Sequence, residues 1–163
     1  MKGVVIERGE KYYTYLKKLF RSINDLQRNY NWLISSYECW PCTEKYAELL
    51  SEEFCWMTGD ELTEMVECED FQWIWGTLSA FSKEIEKEKI LQYKLPEADG
   101  CSKIWQNPVT IQHPLAEIEI VAWDSSMTVF ISKDDNIVDL ICKKYVLAED
   151  LEKYNSVLSI RNL

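Results

Sequence analysis

The sequence is poor in the residues on which most enzymes rely. His113 is the only histidine among 163 residues. A Ser-His-Asp arrangement would have to recruit it from between Gln112 and Pro114, and no G-x-S-x-G elbow is present to supply a nucleophile. Zinc would need four thiolate or imidazole ligands, yet Cys55, Cys68 and Cys101 stand singly, and neither a second C-x-x-C nor a His pair accompanies Cys39 and Cys42. The five glycines are scattered, so no phosphate-cradling loop is present. No metal and no cofactor is expected. Long apolar runs are missing too: the densest uncharged stretch, Phe71–Ser82, spans about twelve residues, against roughly 20 for a membrane-crossing helix. Basic charge is scarce, with 18 Lys and Arg against 28 Asp and Glu and a net charge of −10. Such a chain lacks the clustered cations that release counterions from phosphate backbones, so nucleic acid is not an expected partner. The opening residues, MKGVVIERGEK, offer only a short apolar run before Glu7 and Arg8. No secretory signal is expected, a cytosolic location follows, and the six cysteines are read as reduced.

Hydrophobic residues make up 47% of the chain and aromatics 13%, with seven Trp, which excludes disorder. Length and the absence of a linker predict one domain over residues 1–163. The clearest local pattern lies in 116–146. Ile118, Ile120 and Ala122 alternate with Glu117, Glu119, Val121 and Trp123, the period of a strand with one drier face. Asp124-Ser125-Ser126 supplies turn residues, and Met127–Ile131 returns as a second, antiparallel strand. Ser132 stands three residues before Asp135, a variant of the capping box, and Ile137, Leu140, Ile141 and Tyr145 form an apolar helical stripe behind it.

Earlier in the chain, Gly3–Glu7 reads as a short strand and Glu10–Asn24 as an amphipathic helix. Tyr30–Tyr37 reads as a strand, and Thr43 can cap a helix running to Leu50. Phe54–Met57 is a strand, and Thr58-Gly-Asp-Glu61 is a capping box that opens a helix burying Leu62, Met65 and Val66. Phe71–Phe81 is the expected central strand, and Gly76 within it marks a bulge or a close backbone approach. The charge run Lys83–Lys89 reads as a solvated turn, Cys101–Pro114 as an edge strand or ordered loop, and Ala148–Leu163 as a short helix. Together these predict an α+β fold: a largely antiparallel sheet with helices packed mainly on one face.

Three segments carry a resemblance: GVVIERGEKYYTYLKKLF followed by YNWLI, then FQWIWGTLSAF, then AWDSSMTVFISKDDNIVDLICKKY. They resemble a family of small, uncharacterised bacterial proteins classed only as a domain of unknown function. The resemblance implies one intact cytosolic domain and carries no activity with it. The cysteine pair at 39 and 42 is not a feature of the family.

Two functional readings follow. Cys39-Trp40-Pro41-Cys42, between a strand and a helix, resembles the redox centre of thioredoxin-like proteins, in which a helix N-terminus lowers the first thiol's pKa. On that reading the chain is a thiol–disulfide enzyme acting through Cys39 and Cys42. Glu38 works against it, since a neighbouring carboxylate raises a thiol pKa; a surface turn with two incidental thiols is the simpler account. The other reading is a non-catalytic domain that binds a basic protein partner through an acidic, aromatic-bearing surface, in its most concrete form an immunity-type inhibitor of a basic toxin. Trp73 and Trp75 share a strand face, a pattern that suits a core or a ligand pocket equally, and a core is expected because pockets also need convergent polar groups. The exposed anchors are then sought among Trp32, Trp40, Trp56 and Trp105, with Trp40, Trp56 and Trp105 as the predicted partner-binding residues. His113 is expected in a loop, and the carboxylate clusters Glu67, Glu69 and Asp70, and Glu117 and Glu119, are expected on the surface.

Overall fold

Asp124 and Ser125 both take positive φ, 48° and 56°, and the Ser126 N–H closes the tight turn on the Trp123 carbonyl at 3.0 Å. The turn joins two antiparallel strands, β5 (Ile118–Trp123) and β6 (Met127–Ser132), in register from Ile118 opposite Ser132 to Trp123 opposite Met127. This hairpin lies inside one seven-stranded antiparallel sheet in a computed structural model that describes residues 1–161. The other strands are β1 (Lys2–Ile6), β2 (Tyr30–Cys39), β3 (Phe54–Thr58), β4 (Trp73–Ser82) and β7 (Glu149–Asp150). The spatial order is β3-β2-β4-β5-β6-β1-β7. As predicted, β4 is interior, flanked by β2 and β5.

The helices are α1 (Leu16–Ser22), α2 (Glu44–Leu49), α3 (Gly59–Cys68), α4 (Lys87–Ile90), α5 (Asp135–Lys144) and α6 (Leu151–Arg161). Four of them cover one face of the sheet: Phe20 of α1, Tyr46 of α2, Met65 of α3 and Ile141 of α5 join Trp32, Leu78 and Phe130 in one core. The second face is covered by α6 and the long connection from β4 to β5, through Leu151, Ile90, Ile104 and Ile111. The segment 101–114 is an ordered loop with a 3₁₀ turn at Ser102–Trp105. The expected helix over 148–163 forms as α6, and its last two residues lie outside the described ones.

That second cover corrects the reading of β5 as a strand with one wet face. Val121 and Glu119 are as inaccessible as Ile118, all at 0% exposure. Trp73 and Trp75 also part company: Trp73 joins the first core and Trp75 packs against the second. The register explains why. Glu38 pairs with Trp75 and Cys39 with Trp73, so Ile74 is bulged out of the ladder and the alternation of faces is broken there. Gly76 does mark a close approach, because a Cβ there would stand 3.2 Å from the Trp73 ring and 3.4 Å from Tyr37 Cβ.

The first helix begins at Leu16, six residues later than its apolar periodicity indicates. Thr14 takes a positive φ of 65°, donates its N–H to Thr128 Oγ1 at 3.2 Å and its hydroxyl to the Trp73 carbonyl at 2.6 Å. The Asp70 carboxylate then accepts the N–H groups of Leu16 at 3.0 Å and Lys17 at 3.3 Å, capping α1 from a distant loop. The Thr58 capping box forms as predicted. At α5 the cap is Asp134, which accepts the Asn136 N–H at 2.9 Å, while Ser132 Oγ accepts from the Asp134 N–H instead of serving as the cap itself.

Candidate binding surface

Cys39 is the last residue of β2, half-buried, and Cys42 is exposed; both thiols are free. The segment between them is tied down from one side, because the Glu69 carboxylate accepts the N–H groups of Cys42 and Thr43. Hydrogen bonds from Thr43 and Cys42 hold that carboxyl below its usual range. Thr43 makes no side-chain cap to α2; its N–H goes to Glu69 while its carbonyl accepts from Tyr46 and Ala47. Burial, reinforced by the charge of Glu38, pushes the Cys39 thiol up to about 12. A thiol in that state is a poor nucleophile at neutral pH, and the lowering that disulfide exchange requires does not occur at Cys39.

Trp40, between the two cysteines, is 75% exposed. It borders a cleft of about 500 Å³ together with Tyr15, Phe71 and Gln72. The other predicted anchors are placed differently. Trp56 is half-buried, its ring 5.9 Å from that of Phe81, and Trp105 is half-buried between Trp123 at 4.9 Å and Tyr154 at 5.9 Å. Trp32 is wholly buried and donates its indole N–H to the Gln27 carbonyl at 2.9 Å. Of these four, Trp40 alone stands out from the surface, because it follows the end of β2 and leaves the sheet there.

A second cleft, of about 380 Å³, was not foreseen from the sequence. Its walls carry Glu38, Glu52, Glu53 and Asp99, with the rings of Tyr37 and Trp75 between them. Tyr37 is fixed by its hydroxyl, which donates to the Glu52 carbonyl at 2.6 Å, and Trp75 is held edge-on to Trp123 at 5.0 Å. All four acidic residues are exposed. The ion pairs of the described residues engage other carboxylates, among them Glu7, Glu67, Asp139 and Glu149, and none engages these four. Glu38 adjoins Tyr37 in sequence and Glu52 adjoins Glu53, but only the β2–β3 pairing and the β2 bulge bring them to one place.

Glu119 and His113 are buried where a surface and a plain loop position were expected. The Glu119 carboxyl faces the second core, where it accepts the Gln112 N–H at 3.0 Å and its side-chain amide at 3.2 Å. Burial raises its pKa to about 7 against those two bonds. His113 is inaccessible, edge-on to Phe81 at 4.8 Å and Tyr93 at 5.1 Å. Its Nδ1 accepts the Leu115 N–H at 3.2 Å, which leaves Nε2–H to donate to the Ile90 carbonyl at 3.2 Å. Burial pushes its pKa down, and its ring nitrogens are both engaged with backbone. These two groups fasten the long connection to the sheet. Asp70, also expected on the surface, is half-buried at the start of α1.

Among the described residues no three His, Cys, Asp or Glu side chains are grouped to hold a metal ion, and no helix is long and apolar enough to cross a membrane. The model of a family described as Protein of unknown function (DUF2691) matches residues 1–98, more than half of the chain, and takes in β1 to β4. No curated protein and no solved structure matches.

Proposed function

The chain belongs to the DUF2691 family, and from that premise we propose that it is a non-catalytic binding domain for a basic protein, with an immunity-type inhibitor of a basic toxin as its most concrete form. One observation carries the reading. Glu38, Glu52, Glu53 and Asp99 line one open cleft with Tyr37 and Trp75, and none of the four is in an ion pair among the described residues. Unpaired carboxylates at an aromatic wall suit an incoming Lys or Arg, which gains charge pairing and a ring face together. Net charge of −10 draws such a partner in from a distance. Trp40, protruding next to the same end of β2, supplies the kind of aromatic anchor that slows release. Trp56, in the middle of the neighbouring edge strand β3, is half-buried against Phe81, and Trp105 contributes through packing behind Trp123.

Disulfide exchange through Cys39 and Cys42 has weaker support, since Cys39 is held protonated by burial and by Glu38. Capture from native extract tests the binding reading. Immobilised wild-type chain should retain a basic protein that a Glu38→Gln, Glu52→Gln, Glu53→Gln variant releases. Equal retention by both would count against the acidic cleft as the binding surface.

A further inference from the structure

The two edges of the sheet are finished differently. At one edge β7 is two residues long and runs directly into α6. At the other stands β3, Phe54-Cys-Trp-Met-Thr58, which is uncharged and carries no Pro, Lys or bulge. Edge strands in stable proteins are ordinarily blunted by one of those devices, because unpaired N–H and C=O groups invite another strand. Phe54–Met57 form their ladder with β2, and among the described residues none of their backbone groups bonds elsewhere. Thr58, at the end, turns its N–H away from β2 to the Glu61 carboxylate at 2.8 Å. By the two-residue alternation of an antiparallel pair, the backbone groups of Trp56 and Phe54 are turned the same way, off the sheet.

Beside this edge runs a groove of about 210 Å³, lined by Lys45, Tyr46 and Leu49 of α2, Trp56 of β3, and Glu61 and Glu64 of α3. Leu49 is exposed, so the groove offers apolar surface for alternate side chains of an added strand. Carboxylates outnumber cations around it. Glu52 and Glu53 stand just before β3 and Glu64 lies in the groove; none of the three is in an ion pair among the described residues. Of the lysines here, Lys45 in the groove wall lies over the Tyr46 ring at 5.3 Å and Lys87 over Phe54 at 5.4 Å. A second copy of this chain would bring the same carboxylates against these, and like charges set across a strand pair are destabilising.

We propose that β3 is the docking edge: an extended, basic segment of the partner adds as an eighth strand, with its cationic side chains toward Glu52, Glu53 and Glu64. This rests on the basic-partner reading above and specifies how that partner is held. Main-chain bonds to Phe54 and Trp56 would supply affinity, and the groove with its carboxylates would supply the preference for apolar and basic residues in alternation.

Amide NMR of the full chain, titrated with four short peptides, tests it. The first alternates Arg and Val, the second and third are the same peptide N-methylated on every other amide in one phase or the other, and the fourth alternates Glu and Val. The expected result is that the basic peptide binds and slows hydrogen exchange at Phe54 and Trp56. Methylation in one phase should weaken it at least tenfold, methylation in the other phase should not, and the acidic peptide should not bind. If the basic peptide and both methylated forms bind equally, charge alone is being read. The edge proposal is then overturned while the acidic-surface reading stands. If basic and acidic peptides bind alike with the β3 amides protected, strand addition stands and the preference for a basic partner fails. Absence of any peptide binding, or protection of these amides by concentration-dependent self-association, overturns the proposal.

Discussion

Gln112 holds both oxygens of the Glu119 carboxyl, its backbone N–H 3.0 Å from Oε2 and its side-chain amide 3.2 Å from Oε1. The pair joins β5 to the loop that covers the second face, in a place with no access to water. Burial raises Glu119 from 4.5 to about 7, so between those values the folded chain holds a proton that the unfolded chain has released. The stabilisation from that proton is complete below about pH 4.5 and is lost as pH rises through about 7. Its full size is about 3 kcal/mol. In urea melts across this range, stability of the wild type minus that of Glu119→Gln should fall by that amount. Parallel curves for the two proteins would show that Glu119 titrates normally.

Asp70 gives a second test. Its carboxylate accepts the first two amides of α1, at 3.0 Å and 3.3 Å, in place of an N-cap side chain from the helix itself. Asp70→Ala should lower unfolding free energy by about 1 kcal/mol, the usual worth of a lost cap. Asp70→Asn, which keeps an acceptor, should cost less. Equal losses for both would indicate that charge, and not the capping bond, is what matters.

The thiols make a third. Cys42 is exposed and Cys39 is held up to about 12, chiefly by burial and then by Glu38. Iodoacetamide at neutral pH should label Cys42 well before Cys39, and Glu38→Gln should speed Cys39 only slightly because burial remains. A Cys39 that reacts faster than a free thiol would favour disulfide exchange over the binding reading.

Local patterns carried much of the fold. The hairpin of β5 and β6, the Thr58–Glu61 capping box and the interior place of β4 each depend on neighbours in sequence, and each is where the pattern places it. What failed depended on distant partners. The late start of α1 is set by Thr128, Trp73 and Asp70, none of which its own periodicity can register. Glu119 sits on an alternating strand and looks solvated until the 83–117 connection is laid over it. The bulge at Ile74, invisible in FQWIWGTLSAF, sends Trp73 and Trp75 to opposite faces and so frees Trp75 to line the acidic cleft. The exposure of Trp40 was legible because it lies outside the core patterns, past the end of β2 and beside Pro41. Tyr37 and the four carboxylates were not, since residues from 37 to 99 meet there only after β2, β3 and β4 have paired.

The most direct measurement is association and dissociation kinetics with the basic protein retained from native extract, at two salt concentrations, for wild type, Glu52→Gln/Glu53→Gln and Trp40→Ala. Exposed charges are screened over about 10 Å at 0.1 M salt, so wild-type association should slow markedly between the two conditions. The double variant should associate slowly at both, with dissociation little altered. Trp40→Ala should leave association alone and speed dissociation about 30-fold, the equivalent of a hot spot worth about 2 kcal/mol. Association that is indifferent to salt and to Glu52 and Glu53, together with dissociation that is indifferent to Trp40, would contradict an acidic, aromatic binding surface at this end of the sheet.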